Sequence, residues 1–82
     1  LSANINLDQI KTLKIFKWLK SCGISDYEML KTFNCGVGFC LIINKKNLKN
    51  VQSVFETKYK PYVIGEISKS KKKVNISGKI SW

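Results

Sequence analysis

Two glycines two residues apart, Gly36 and Gly38, sit in the polar bend Thr32-Phe33-Asn34-Cys35-Gly36-Val37-Gly38. Glycine lets the main chain approach a ligand closely, and successive main-chain N–H groups can gather round an anion. Thr32 and Asn34 add neutral hydrogen-bonding side chains. No other part of the 82-residue chain combines residue types and spacing in a way that suggests chemistry. The same residues also suit a tight helix-to-strand turn that binds nothing. Gly-x-Gly is shorter than the dinucleotide fingerprint, and a helix precedes it where that fingerprint needs a strand. Elsewhere the reactive side chains are sparse. His is absent, which removes Cys-His and Ser-His catalysis and Cys/His zinc sites. The five carboxylates are scattered, with no pair spaced for acid–base work or for a metal. Cys22, Cys35 and Cys40 lack C-x-x-C spacing and read as small buried apolar residues. An odd count with no visible signal peptide reads as reduced and cytoplasmic.

Fifteen basic residues against five acids give a net charge of +10, and every basic residue is Lys. Lysine neutralises phosphates, so a small basic nucleic-acid-binding module is the alternative reading. Sequence readers, however, rely on the planar fork of Arg, so no specific nucleic acid is expected. Ten Ile and seven Asn accompany the lysines. Lys, Ile and Asn share A/T-rich codons, so genome composition accounts for much of the charge. The longest apolar run, Val37 to Ile43, is far short of the ~20 residues that span a membrane.

The elements that must hold the bend follow from periodicity and caps. Asn6 with Gln9 predicts a capping box opening a helix over about Leu7 to Cys22, stopped at Gly23. Its apolar arc (Leu13, Ile15, Phe16, Leu19, Cys22) covers about half the wheel, wider than one neighbour needs. Ser25-Asp26-Tyr27-Glu28 is a second capping box, opening a helix that ends at Lys31 or Thr32. After the bend, the run 37–43 has the length and continuous apolarity of a strand covered on both faces. Asn44 caps a predicted helix over 45–57, with Leu48, Val51, Val54, Phe55 and Tyr59 on one side. Strands are expected at Tyr62 to Ile67 and from Val74 onward, where Val74, Ile76, Ile80 and Trp82 share one parity around Gly78. Ser68 to Lys73 is a polar, lysine-rich turn. The order α-α-β-α-β-β is of the α/β (α+β) class, with a small mixed sheet, one right-handed parallel crossover and a final hairpin.

Three segments carry a family resemblance. Glu28-Met29-Leu30-Lys31-Thr32-Phe33-Asn34-Cys35-Gly36-Val37-Gly38-Phe39 resembles the E-M-x-x-T-F-N-x-G-x-G segment of the phosphoribosylformylglycinamidine cyclo-ligases, or aminoimidazole ribonucleotide synthetases. Ile15-Phe16-Lys17-Trp18-Leu19 is similar to their I-F-x-W-L helix, and Tyr62-Val63-Ile64-Gly65-Glu66-Ile67 to their V-I-G-x-I strand. The family often has Trp and Pro ahead of the helix, where this chain holds Ile10 and Lys11.

The resemblance covers most of the chain from about Ile10, and the family's protein is several times longer. It therefore implies that residues 1–82 are one partial domain, the end of the synthetase C-terminal domain without the N-terminal ATP-binding domain. It implies an ATP- and Mg2+-dependent ring closure of formylglycinamidine ribonucleotide to aminoimidazole ribonucleotide by a homodimeric parent. Thr32, Asn34, Gly36 and Gly38 would then be candidate substrate contacts near the cleft. The isolated piece is expected to bind no cofactor, to be inactive, and to self-associate through Trp18, Phe16 or a sheet edge.

Overall fold

A computed structural model describes all 82 residues. The first strand, β1 (Ser2–Asn6), lies where the sequence reading placed only the approach to a helix. It is the middle strand of a three-stranded sheet ordered β2-β1-β3, with β2 at Gly65–Ser68 and β3 at Val74–Ser77. β1 runs antiparallel to β2 and parallel to β3. Alternation gives the sheet two unlike faces. Ser2, Asn4 and Asn6 share a face with Glu66, Ser68, Asn75 and Ser77 through the strand registers. The Asn4 side chain donates to Ser68 Oγ (2.7 Å) and accepts from Asn75 Nδ2 (2.8 Å), tying all three strands together. Ala3, Ile5, Ile67, Val74 and Ile76 form the other face.

The Asn6 side chain accepts from the Asp8 N–H, as a cap should, yet only one 3-10 turn follows (Leu7–Gln9). The helical arc begins later, as α1 (Lys14–Ser21). The chain between forms no regular element, and Ile10 and Leu13, its two ends, keep a strand-like backbone. The second helix, α2 (Asp26–Thr32), forms where its capping box predicts: Ser25 Oγ accepts the Glu28 N–H, and Asp26 and Glu28 sit at the positive end of the helix dipole.

Two further predicted elements differ, and the strand expected at Tyr62 to Ile67 begins only at Gly65. The predicted strand 37–43 does not form, because no neighbouring strand reaches it. The 45–57 helix is a 3-10 turn (Lys45–Asn47) running into a short α3 (Leu48–Ser53), with a further 3-10 turn at Thr57–Tyr59. Asn44 does cap it, accepting from the Lys46 N–H. The predicted crossover and final hairpin are therefore replaced: β2 and β3 flank β1 on opposite sides. The order becomes β-α-α-α-β-β. The α+β class and the small mixed sheet stand.

The buried centre is small. Leu7, Met29, Cys35 and Ile80 form it, with Ile5, Ile10, Phe16, Leu19, Ile24, Leu30, Phe33 and Trp82 packed round them. The strand after Val74 ends at Ser77, but Ile80 and Trp82 still turn inward. Trp82 Nε1 donates to Asp26 (3.1 Å), which also pairs with Lys20 (3.3 Å). Ile15 and Trp18 remain exposed on α1, so its wide apolar arc is covered on one side only. No helix is long and apolar enough to cross a membrane.

Candidate functional site

The bend begins as α2 ends. Phe33 leaves the helix with an extended backbone, its N–H still bonded to the Met29 carbonyl (2.9 Å). Asn34 then closes a turn twice: its side-chain oxygen accepts the Gly36 N–H (2.9 Å) and its carbonyl accepts the Val37 N–H (3.0 Å). The two central residues, Cys35 and Gly36, have φ of 54° and 106°. Positive φ at both central positions is the pattern of a type I′ turn. A left-handed Cys35 costs about 1–2 kcal/mol. Its side chain is only 1% exposed, in the core against Met29, and its Sγ lies 3.7 Å from the Met29 and Phe33 carbonyls. Burial raises the Cys35 thiol pKa above its ordinary value.

The turn is pressed against the extended segment Lys11–Leu13. A Cβ on Gly36 would stand 2.9 Å from the Lys11 carbonyl oxygen and 3.4 Å from the Leu13 nitrogen. From another side, Tyr62 accepts the Lys11 N–H at its hydroxyl (3.0 Å), and the Lys11 ammonium stands 4.7 Å from the Tyr62 ring centre. Phe16 and Phe33 meet as tilted rings 6.1 Å apart. Two of the three segments that carry the family resemblance thus meet at residues 11–13, and the third joins them where Phe16 packs on Phe33. Thr12 Oγ1 is buried there without a hydrogen-bond partner.

The four candidate residues divide. Asn34 and Gly36 are engaged in the turn itself. Thr32 is exposed at the end of α2, and Gly38 is exposed with nothing within 4 Å of the point a Cβ would occupy. Two open depressions lie elsewhere: one of about 480 Å³ among Lys49, Gln52, Ser53, Phe55, Thr57 and Lys60, and one of about 340 Å³ reaching Asn4, Asn6, Gln9, Glu66 and Ser77. Cys22 and Cys40 are exposed, and only Cys35 is buried as the sequence reading expected. That reading also passed over Cys35 as the turn's anchor and Tyr62 as the brace of residue 11. The only signal for either was its place within or beside a motif.

The carboxylates do not fit a Mg2+ site. No group of three or more Asp, Glu, Cys or His side chains comes together to hold a metal. Asp8 accepts the Lys79 N–H (3.0 Å), and Asp26 is shared by Lys20 and Trp82.

The sequence belongs to a known domain class. Residues 1–77 match the family model described as AIR synthase related protein, C-terminal domain, and the chain belongs to that family. Among curated proteins it is similar to the phosphoribosylformylglycinamidine cyclo-ligase of Methanococcus vannielii, 44% identical over 55 residues, 65% of this chain and 16% of that protein. It is also similar to the protein of the same name from Staphylococcus epidermidis, 38% identical over 71 residues, 84% of this chain and 21% of that protein. The chain thus spans about a fifth of the length of these relatives or less. No solved structure matches it.

Proposed function

We propose that the chain is part of the C-terminal domain of a phosphoribosylformylglycinamidine cyclo-ligase of purine biosynthesis. The observation that carries this reading is the identity to relatives of that name, together with the packing of the family-like segments against one another, Gly36 and Tyr62 on residues 11–13 and Phe16 on Phe33. The whole enzyme would use ATP to close the imidazole ring of formylglycinamidine ribonucleotide, yielding aminoimidazole ribonucleotide, ADP and phosphate. A homodimeric parent and a cytoplasmic location belong to the same proposal.

Within that enzyme this chain's own residues position rather than react. The bend offers no nucleophile with a base beside it and no carboxylate cluster, so no step through Mg2+ is assigned to it. Its contribution is a main-chain turn held at fixed distance from α1, with the Thr32 hydroxyl and the Gly38 N–H as the groups free to meet substrate. Fixed donors of this kind lower a barrier by orienting a reactant rather than by exchanging protons with it.

The test is a chimera. The matched segment of the Staphylococcus epidermidis relative is replaced by this chain, and ring closure is followed alongside the chain alone. Activity in the chimera, none in the isolated chain, and a raised KM in the Thr32→Val chimera are expected. A chimera that folds and dimerises like its parent but closes no ring would overturn the proposal.

A further inference from the structure

Residues 11–13, on which the bend is seated, have little of their own to hold them. Lys11 and Thr12 take part in no main-chain hydrogen bond. The Leu13 carbonyl is taken up by the first turn of α1, where it accepts the Phe16 and Lys17 N–H groups. Thr12 Oγ1 has no partner. One side chain reaches in: the hydroxyl of Tyr62, 51 residues away, accepts the Lys11 N–H at 3.0 Å. The Tyr62 ring adds a second hold, with Lys11 Nζ 4.7 Å from its centre, within the range of a cation–π contact.

The carbonyl of the same residue is the atom against which the turn is packed, since a Cβ on Gly36 would stand 2.9 Å from it. Tyr62 and Gly36 thus act on the N–H and the C=O of Lys11. A shift of Lys11 is passed to Gly36, and from there to Thr32 and Gly38 at the ends of the bend. Tyr62 does this without belonging to the core. It is half-buried and stands outside both the buried cluster and the side chains packed on it. Removing its hydroxyl frees Lys11 and leaves the core intact.

We infer that Tyr62 is a positioning residue for substrate: through Lys11 it fixes the Gly36 turn, and with it the placement of the Thr32 hydroxyl and the Gly38 N–H. The inference rests on the reading of the bend as a substrate contact of the cyclo-ligase. Tyr62 acts through Lys11 and not by meeting substrate. Groups held in place before binding gain affinity because less freedom is lost when the ligand arrives. A loosened bend therefore binds more weakly, while the reaction of bound substrate is little changed.

The test uses the chimera that carries this chain within the Staphylococcus epidermidis relative. Tyr62→Phe keeps the ring over Lys11 and removes only the hydrogen-bond acceptor. KM for formylglycinamidine ribonucleotide should rise about three- to tenfold, the span of one neutral hydrogen bond. Meanwhile kcat should stay within about twofold. A role in folding alone would instead lower the melting temperature and the active fraction, and so kcat, with KM unmoved. In the Thr32→Val chimera the same change should raise KM less than in the parent, because one of the contacts it positions is already gone. In the 82-residue chain, Tyr62→Phe should strip the Lys11 amide of its protection from hydrogen exchange. An active chimera whose KM ignores Tyr62→Phe, a KM rise equal with and without the Thr32 hydroxyl, or a Lys11 amide still protected in Tyr62→Phe would each overturn this inference alone. A chimera with Tyr62 intact that folds and dimerises but closes no ring overturns the reading of the site, and this inference with it.

Discussion

Replacing Gly36 by Ala measures how much of the bend is dictated by packing. At φ of 106° a side chain is strained whatever the space, which costs about 1–2 kcal/mol. The added Cβ would also meet the Lys11 carbonyl oxygen at 2.9 Å. That oxygen cannot simply withdraw, because the N–H of the same residue is tied to Tyr62. Relieving such overpacking costs about 1–3 kcal/mol more. The sum, about 2–5 kcal/mol, is a large fraction of the 5–15 kcal/mol that holds a typical domain together. In thermal unfolding it amounts to a fall of roughly 10 °C or more, at about 4–8 °C per kcal/mol for a domain of this size.

Two other glycines serve as controls. Gly23→Ala meets open space at φ of 94°, so only the backbone strain of about 1–2 kcal/mol applies. Gly38→Ala meets open space with no positive φ, and should be neutral or stabilise by up to about 1 kcal/mol through the unfolded chain. Thermal melts and urea titrations of the three variants give the ranking. Equal midpoints for Gly36→Ala and Gly38→Ala would show that the bend does not press on residues 11–13.

Met29, 0% exposed, is the only wholly buried large side chain, and Met29→Ala should cost about 2–5 kcal/mol, read as a drop in urea midpoint. Native protein at neutral pH should label at two thiols, Cys22 and Cys40, with Cys35 reacting only after denaturation; mass spectrometry counts the adducts. Because the folded pKa of Cys35 lies above its unfolded value, its contribution to stability is whole below the ordinary thiol range and is lost as pH climbs through the raised value. A Cys35→Ala variant should show a flatter loss between neutral and strongly alkaline pH. Any nucleic-acid binding should be insensitive to sequence and fall about a thousandfold or more from ~50 to ~200 mM salt if six or more phosphates are contacted; a sequence preference that survives physiological salt would favour the nucleic-acid module instead.

Local chemistry made part of this fold legible. A capping box needs only four consecutive residues, and Ser25 to Glu28 set the start of α2 correctly. The same held for Asn44, though its cap opened a 3-10 turn rather than a long helix. β1 was illegible for the opposite reason. Ser-Ala-Asn-Ile-Asn has little strand propensity, and its stability comes from Asn4 bonding side chains more than sixty residues away. The run 37–43 shows the converse failure: strong strand composition cannot make a strand without a neighbour to bond. At the site, the motif marked where the bend lies, while the brace from Tyr62 to Lys11 depended on chain separation that periodicity does not encode.

The bend's structural turn and the substrate contacts proposed for it fall on different residues. Asn34 spends its side-chain oxygen and its carbonyl within the turn, and Gly36 spends its N–H there and its missing side chain against Lys11. Those two residues shape the main chain. Thr32 and Gly38, at the two ends, keep their hydroxyl and N–H outside that hydrogen-bonding pattern and face solvent. Substitution at the first pair should therefore be felt first in folding, and at the second pair first in substrate affinity. The turn sets where its two free ends point, and a ligand held between them would feel any shift of Lys11 through Gly36.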